Sequence, residues 1–339
     1  MIPVSVCTII IISFIYYYFF SSFSAGTTTQ YLYIDQDDNI DSVFAKLAPI
    51  ASTHGMQGLC TLANHSSYAE NIKSGRYEIS AGMGAFKVFR RLKSGMQAPV
   101  RLVIPSVRTV EDIAGEVSSK LMMSKQELLD CLTNNDICTE YGYTLETIIC
   151  MFIPNTYDVY WNISTVKFMK RMQKETINFW NKERTEKAER LNLTPVQVMT
   201  LASIVDEETA NNSEKPMVAG MYYNRLNVRD AEYPDGMPLQ ADPTVKFALK
   251  QFALKRIYRN MLQTDSPYNT YVHVGLPPGP IRIPSVAGID AVLNLVHHDY
   301  LYMCAKEDFS GTHNFARTYQ EHRDNAAKYS KALNMRGIK

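Results

Sequence analysis

The chain has 339 residues, 46% of them hydrophobic, enough for two or three ordinary domains with substantial cores. Its 35 basic and 34 acidic side chains leave a formal charge of +1, without a long basic run or a basic-aromatic patch, which argues against nucleic acid as a partner. The six cysteines are scattered and the histidines lack metal-ligand spacing, so neither a disulfide scaffold nor a zinc site nor any other cofactor is expected; Cys131 and Cys138 are the pair that could join outside a membrane.

Residues 2–23 carry no charge and, at ~1.5 Å per helical residue, are long enough to cross a hydrocarbon layer of ~30 Å. This predicts a transmembrane helix or uncleaved signal anchor over residues 1–24; a signal peptide cut near Ser22-Phe-Ser24 is the competing reading. The first charged side chain is Asp35, so flanking lysines and arginines give no orientation, and only the α-amino group argues for a cytoplasmic N-terminus. A polar linker fills 25–30. The alternation of Tyr31-Leu-Tyr-Ile34 predicts a strand, and Ile40 to Leu47 a helix with Val43, Phe44 and Leu47 on one face. A strand at 74–79, a helix at 85–92 and a strand at 100–104 complete a small α+β module over 31–105. Residues 106–190 predict a helical connecting region, with apolar spacing at 110–117 and 125–132 and a proline turn at Met151-Phe-Ile-Pro-Asn-Thr-Tyr157. A charged amphipathic helix over about 166–191 reads as a solvated face.

The stretch from 191 to 339 holds the chemistry. Thr194-Pro195-Val196-Gln197 offers an N-cap hydroxyl, a proline at the first helical position and a glutamine placed to close a capping box. An almost wholly apolar run then ends in Asp206-Glu207-Glu208. Helical side chains lean back over the preceding turn, so Glu208 lies over Ile204 and Val205 and has the most apolar neighbourhood of the three. Such surroundings disfavour the charged form and keep a carboxyl protonated, able to act as a general acid. A solvated acidic helix end is the bland alternative.

Beyond Glu208 the polar turns mix amides, hydroxyls and aromatic rings, the combination that binds sugars. They supply the candidate contacts Asn224, Arg225, Gln240, Asp242, Thr244, Tyr268, Asn269, Thr270, Tyr271 and His313. Gly275-Leu-Pro-Pro-Gly-Pro-Ile281 reads as a stiff cleft wall. Any one of these turns could instead be an ordinary loop serving its own backbone.

The ordered series Leu201-Ala-Ser-Ile-Val-Asp-Glu-Glu-Thr209, Tyr223-Asn-Arg-Leu226, Gly236-Met-Pro-Leu-Gln-Ala-Asp-Pro-Thr-Val245, Ser266-Pro-Tyr-Asn-Thr-Tyr271, Gly275 to Ile281, Asp299-Tyr-Leu-Tyr302 and His313-Asn-Phe315 with His322 resembles the YceG-like endolytic murein transglycosylases (MltG). The match covers about 195–325, with weaker echoes at Ser74-Gly-Arg-Tyr77 and 152–157. The resemblance implies an α+β protein with an N-terminal transmembrane helix, a LysM-like module and a mixed α+β catalytic domain. It implies a single-pass plasma (inner) membrane protein whose catalytic domain faces the periplasmic or extracytoplasmic side. Glycan strands of peptidoglycan would be cut internally at the MurNAc–GlcNAc bond, and wall-synthesis proteins are the protein partners implied. The family's catalytic glutamate maps onto Glu208. Asp206 stands where a glutamate is more usual, and Glu207 where a lysine is common, which predicts extra negative charge pushing the Glu208 pKa higher. Ala241, between Gln240 and Asp242, is a further departure.

One glutamate acting as acid and then base gives a 1,6-anhydromuramyl end without water. A water-using muramidase with Asp206 or Asp242 as base, and a wall-binding scaffold with an inert acid cluster, are the alternatives.

Overall fold

The computed structural model describes residues 4–254 and 256–337, a mixed α+β chain in two units. The first unit comprises 1–102, 116–125 and 156–165. It begins with helix α1 (Val4–Ile15) and a short π-helical turn (Tyr16–Phe20), followed by β1 (Gln30–Ile34), α2 (Ile40–Leu47), α3 (Thr53–Asn64), β2 (Gly75–Ile79) and α4 (Ala85–Ser94). β1 and β2 are antiparallel, with Leu32 opposite Tyr77 and Ile34 opposite Gly75, and alternation turns Leu32, Ile34, Tyr77 and Ile79 inward. Val43 and Leu47 of α2 and Val88 and Leu92 of α4 close this core, in agreement with the apolar spacing. Helix α3, for which no sequence signal is given above, starts at a Ser52 N-cap.

No helix among the described residues is long and apolar enough to cross a membrane. Of the span expected over 2–23, Ile2 and Pro3 lie outside the described residues, and the rest does not form one continuous α-helix. Its last residue, Phe23, belongs to the first unit's core. Phe23 is fully buried, its N–H donates to the Met83 carbonyl at 2.7 Å, and its carbonyl accepts from the Ser52 N–H at 2.6 Å. Gly58 on α3 lets the preceding turn pack closely, because a Cβ there would collide with the Tyr18 carbonyl oxygen.

The second unit comprises 103–115, 126–155 and 166–339. The chain passes between units within β3 (Val100–Ile104), α5 (Val110–Ser118), α6 (Lys125–Leu132) and, after α7 (Asn135–Glu140), within β4 (Asn155–Val159) and α8 (Thr165–Phe179). The charged stretch expected as one helix is two, α8 (Thr165–Phe179) and α9 (Lys182–Arg190), because the Asn181 side chain caps the Arg184 N–H and starts a new helix. Next come α10 (Pro195–Glu208), α11 (Lys215–Asn227), α12 (Asp242–Ala248), α13 (Val286–Leu293), the antiparallel hairpin β5 (Tyr302–Ala305) and β6 (His313–Ala316), and α14 (Tyr319–Met335). Helix α10 is the axis of this unit, with every residue from Val198 to Val205 buried against α9, α11, α12 and α13. Cys131 and Cys138 are free thiols.

Candidate active site

The start and stop of α10 position the acids. Thr194 accepts from the Gln197 N–H at 3.2 Å while the Gln197 side chain accepts from the Thr194 N–H at 2.8 Å, the reciprocal cap that the sequence predicts. Fixed at that end and buried along its length, the helix delivers three carboxylates to three different environments.

Asp206 is locked in place. Lys215 Nζ lies 2.7 Å from its Oδ1, with both side chains almost fully buried. Its other bonds come from the Ser285 backbone N–H at 2.6 Å and hydroxyl at 3.0 Å, at the N-cap of α13. The helix approaches so closely that a Cβ on Gly288 would lie 2.5 Å from Asp206 Oδ1. That contact accounts for an aspartate here, since a longer side chain would meet the α13 backbone.

Glu207 is equally committed. Arg108 Nη2 reaches both of its oxygens at 2.8 Å, and Arg282 Nη1 reaches Oε1 at 2.6 Å. Two guanidinium groups therefore meet the charge expected to act on Glu208, and Glu207 is not among the main influences on Glu208.

Glu208 faces a cleft of about 280 Å³ lined by Met221, Tyr222, Arg225, Leu239, Gln240, Asp242, Tyr271, Met303 and His322. The Tyr222 hydroxyl donates to Glu208 Oε1 at 2.8 Å. Burial is the largest influence on the carboxyl and pushes its pKa up; the Tyr222 hydrogen bond opposes this, Asp242 adds to it, and His313 and Lys246 oppose it. The net direction is upward, as an acid catalyst working near neutral pH requires. Burial and the neighbouring Glu208 hold the Tyr222 phenol well above its ordinary range, so Tyr222 stays a donor.

The other candidates divide into cleft and frame. Arg225, Gln240, Asp242 and Tyr271 line the cleft. The Tyr271 hydroxyl donates to Asp242 Oδ1 at 2.7 Å. Gln240 adopts the left-handed region with φ of 50°, an uncommon conformation for a non-glycine residue, while its N–H donates to the Thr270 carbonyl at 3.0 Å. Thr244 and Thr270 are buried and share a hydroxyl pair at 2.8 Å, and Thr270 Oγ1 accepts from the Ala241 N–H at 3.0 Å, which pins the turn. Asn269, fully buried, donates to the carbonyls of Leu262 and Thr264. Tyr268 packs on Phe247 at 4.7 Å between centroids, its phenol pushed up to about 12 by burial. Asn224 donates to the carbonyls of His298 at 2.6 Å and Tyr300 at 3.0 Å. The 275–281 loop packs on α10, the Ile281 N–H donating to Ser203 Oγ at 3.0 Å.

His313 is held from two sides by Glu214, which accepts from the His313 N–H at 2.6 Å and lies 3.0 Å from Nδ1. Glu214 also accepts from the hydroxyl of Thr209, the residue after Glu208, so the hairpin and the end of α10 are tied together. Tyr222 and Glu214 lie outside the candidates that the sequence supplies, and His322, which belongs to the family-like series, lines the cleft. A signal for Tyr222 was present in the three- and four-residue spacing of Val218, Tyr222 and Arg225, all buried on α11.

Comparison with known proteins shows the family to which the chain belongs. The model of the YceG-like family matches residues 32–328. The endolytic murein transglycosylase of Bacillus subtilis (strain 168) is 27% identical over 285 residues, which cover 78% of this chain and 75% of that protein. That of Streptococcus pneumoniae (strain D39) is 34% identical over 142 residues, 41% of this chain and 24% of the relative. The crystal structure of a YceG-like protein from Listeria monocytogenes superposes with a TM-score of 0.55 at 26% identity, over 88% of this chain and 99% of that one. With the family match running from β1 into α14 and taking in every residue of the cleft, the chain belongs to the YceG-like family.

Proposed function

We propose that the protein is an endolytic lytic transglycosylase of peptidoglycan and that Glu208 is its catalytic acid and base. The observation that carries this is the environment of Glu208: a carboxyl with raised pKa, held by Tyr222, at a cleft whose other carboxylate, Asp242, accepts from Tyr271. Protonated Glu208 gives its proton to the glycosidic oxygen as the C1–O4 bond of a MurNAc–GlcNAc linkage breaks. The resulting carboxylate then takes the proton of the muramyl 6-hydroxyl as O6 bonds to C1. No water enters, and the product ends in 1,6-anhydromuramic acid. Burial favours the neutral acid that starts the cycle, and the Tyr222 hydrogen bond favours the carboxylate that the first step leaves behind. Asp206 is bound to Lys215 and Ser285, which removes it as a base for a hydrolase.

The same reading places the protein at the plasma membrane with its catalytic cleft on the extracytoplasmic side, where nascent strands and the wall-synthesis proteins that make them are found. The exposed apolar side chains of the N-terminal run, Ile9 to Ile12, Phe14, Tyr16, Tyr17 and Phe20, support its use as the membrane attachment. The strand-helix-helix-strand order of β1, α2, α3 and β2 supports a LysM-like wall-binding role for residues 31–105. The test is digestion of purified sacculi by wild-type protein and by Glu208→Gln, which keeps size and hydrogen bonding but not the proton. Release of muropeptides by wild type alone is expected; full cleavage by the variant would remove Glu208 from the chemistry.

A further inference from the structure

Arg225 is only 7% exposed, yet none of the ion pairs among the described residues includes it. Its donors are met by neutral carbonyls: Nε by Leu301 at 2.6 Å, and Nη1 by Leu239 at 2.7 Å and Pro238 at 3.3 Å. Among the described residues, Nη2 has no hydrogen-bond partner. The Tyr302 ring lies 5.4 Å away and offers only a weak cation–π contact. Carbonyls satisfy donors but do not balance a charge, and a buried cation without an anion is costly. Burial accordingly depresses the guanidinium pKa.

The rest of the cleft does not supply the missing charge. Glu208 takes its hydrogen bond from Tyr222 and Asp242 from Tyr271, and neither pairs with Arg225. His322, on α14, lines the same cleft with a buried Nδ1 that has no partner, and its ring stacks on Tyr302 at 5.5 Å. Burial and the nearby Arg225 both push its pKa down, so the ring is neutral beside the guanidinium. One wall of the cleft thus holds an unbalanced positive charge next to an unused imidazole nitrogen.

We infer that Arg225 and His322 form an anion subsite of the cleft that takes the free D-lactyl carboxylate of a muramyl residue lacking its stem peptide. The inference rests on the glycan reading above. In such a glycan this carboxylate is the anionic group, and a stem peptide converts it into a neutral amide at the same position. An amide leaves the guanidinium charge unbalanced, whereas a carboxylate balances it through a charge-assisted hydrogen bond. The subsite therefore favours a muramyl residue from which the stem peptide has been removed.

Binding decides this without cleavage. N-acetylmuramic acid and its lactyl N-methylamide are titrated into Glu208→Gln by NMR or calorimetry, and then into the same protein carrying His322→Glu, which sets an internal carboxylate beside Arg225. The acid should bind about tenfold more tightly than the amide, the discrimination that one charge-assisted hydrogen bond sustains. His322→Glu should abolish that preference without lowering the melting temperature. Equal affinity of the two sugars for the His322-containing protein, or a preference that survives His322→Glu, would overturn the subsite; the first comparison decides whether or not the double variant folds. Preference for the acid without anhydro products would sink the transglycosylase reading and leave the subsite standing, and anhydro products without that preference would do the reverse.

Discussion

Tyr222→Phe removes one oxygen atom and, with it, the hydrogen bond to Glu208 Oε1 at 2.8 Å, while the ring keeps its place in the core. A hydrogen bond to a charged group is worth about 1.5–3 kcal/mol, and one pH unit corresponds to about 1.4 kcal/mol, so its loss should move the carboxyl by roughly 1–2 units. The sign follows from the donor: Tyr222 stabilises the carboxylate and lowers the Glu208 pKa, so removing it raises a value that burial has already raised. The first step needs the protonated form, and the alkaline limb of the kcat/KM profile should therefore shift upward by about 1 unit or more. The carboxylate that forms in that step loses its donor, so kcat should also fall, by about tenfold or more. The assay is release of muropeptides from purified strands over about pH 5–9, with far-UV circular dichroism as a check on folding. An alkaline limb that stays in place or moves downward in a folded variant would refute the assignment of Tyr222 as the group that holds Glu208.

Three further outcomes follow from the same geometry. The folded-state pKa of Glu208 is raised above its ordinary value of 4.5, so wild type loses stability as pH climbs from that value through the folded-state one; Glu208→Gln should match wild type near about pH 4 and melt progressively higher above it, as thermal scans at several pH values would reveal. Asp206→Glu adds a methylene where α13 leaves no room beside Gly288 and should cost about 1–3 kcal/mol in denaturant titrations, against little change if the site is open. Asn224→Ala frees the carbonyls of His298 and Tyr300 and should cost about 1–3 kcal/mol with KM for strands unchanged; a large rise in KM at unaltered stability would make Asn224 a sugar contact instead.

What the sequence made legible was local. The Thr194–Gln197 capping box, the buried run through Val205 and the stop at Glu208 are encoded within 15 consecutive residues, and the structure reproduces them. Helix α2 and strand β3 likewise follow from short-range spacing alone. What stayed hidden was the use of each acid, because it depends on residues far away in the chain: Arg108, Arg282 and Ser285 decide the fates of Glu207 and Asp206. Polar turns posed a similar problem. Asn224, Thr244, Asn269 and Thr270 carry sugar-binding chemistry in their side chains, and no spacing rule reveals that each is bonded to backbone or to another frame residue. The end of the apolar N-terminal run is a further case in which burial depends on distant residues. Hydropathy registers Phe23 as lipid-compatible, but its burial comes from residues near Ser52 and Met83.

In the proposed reaction one carboxyl group, Glu208, cuts the strand by internal transfer to the muramyl 6-hydroxyl. Mass spectrometry of the ends produced from purified glycan strands reads this transfer out. Wild-type protein should yield 1,6-anhydromuramyl ends, a water molecule lighter than reducing ends, and Glu208→Gln should yield neither. Reducing ends without anhydro product would rule out internal transfer and identify a hydrolase.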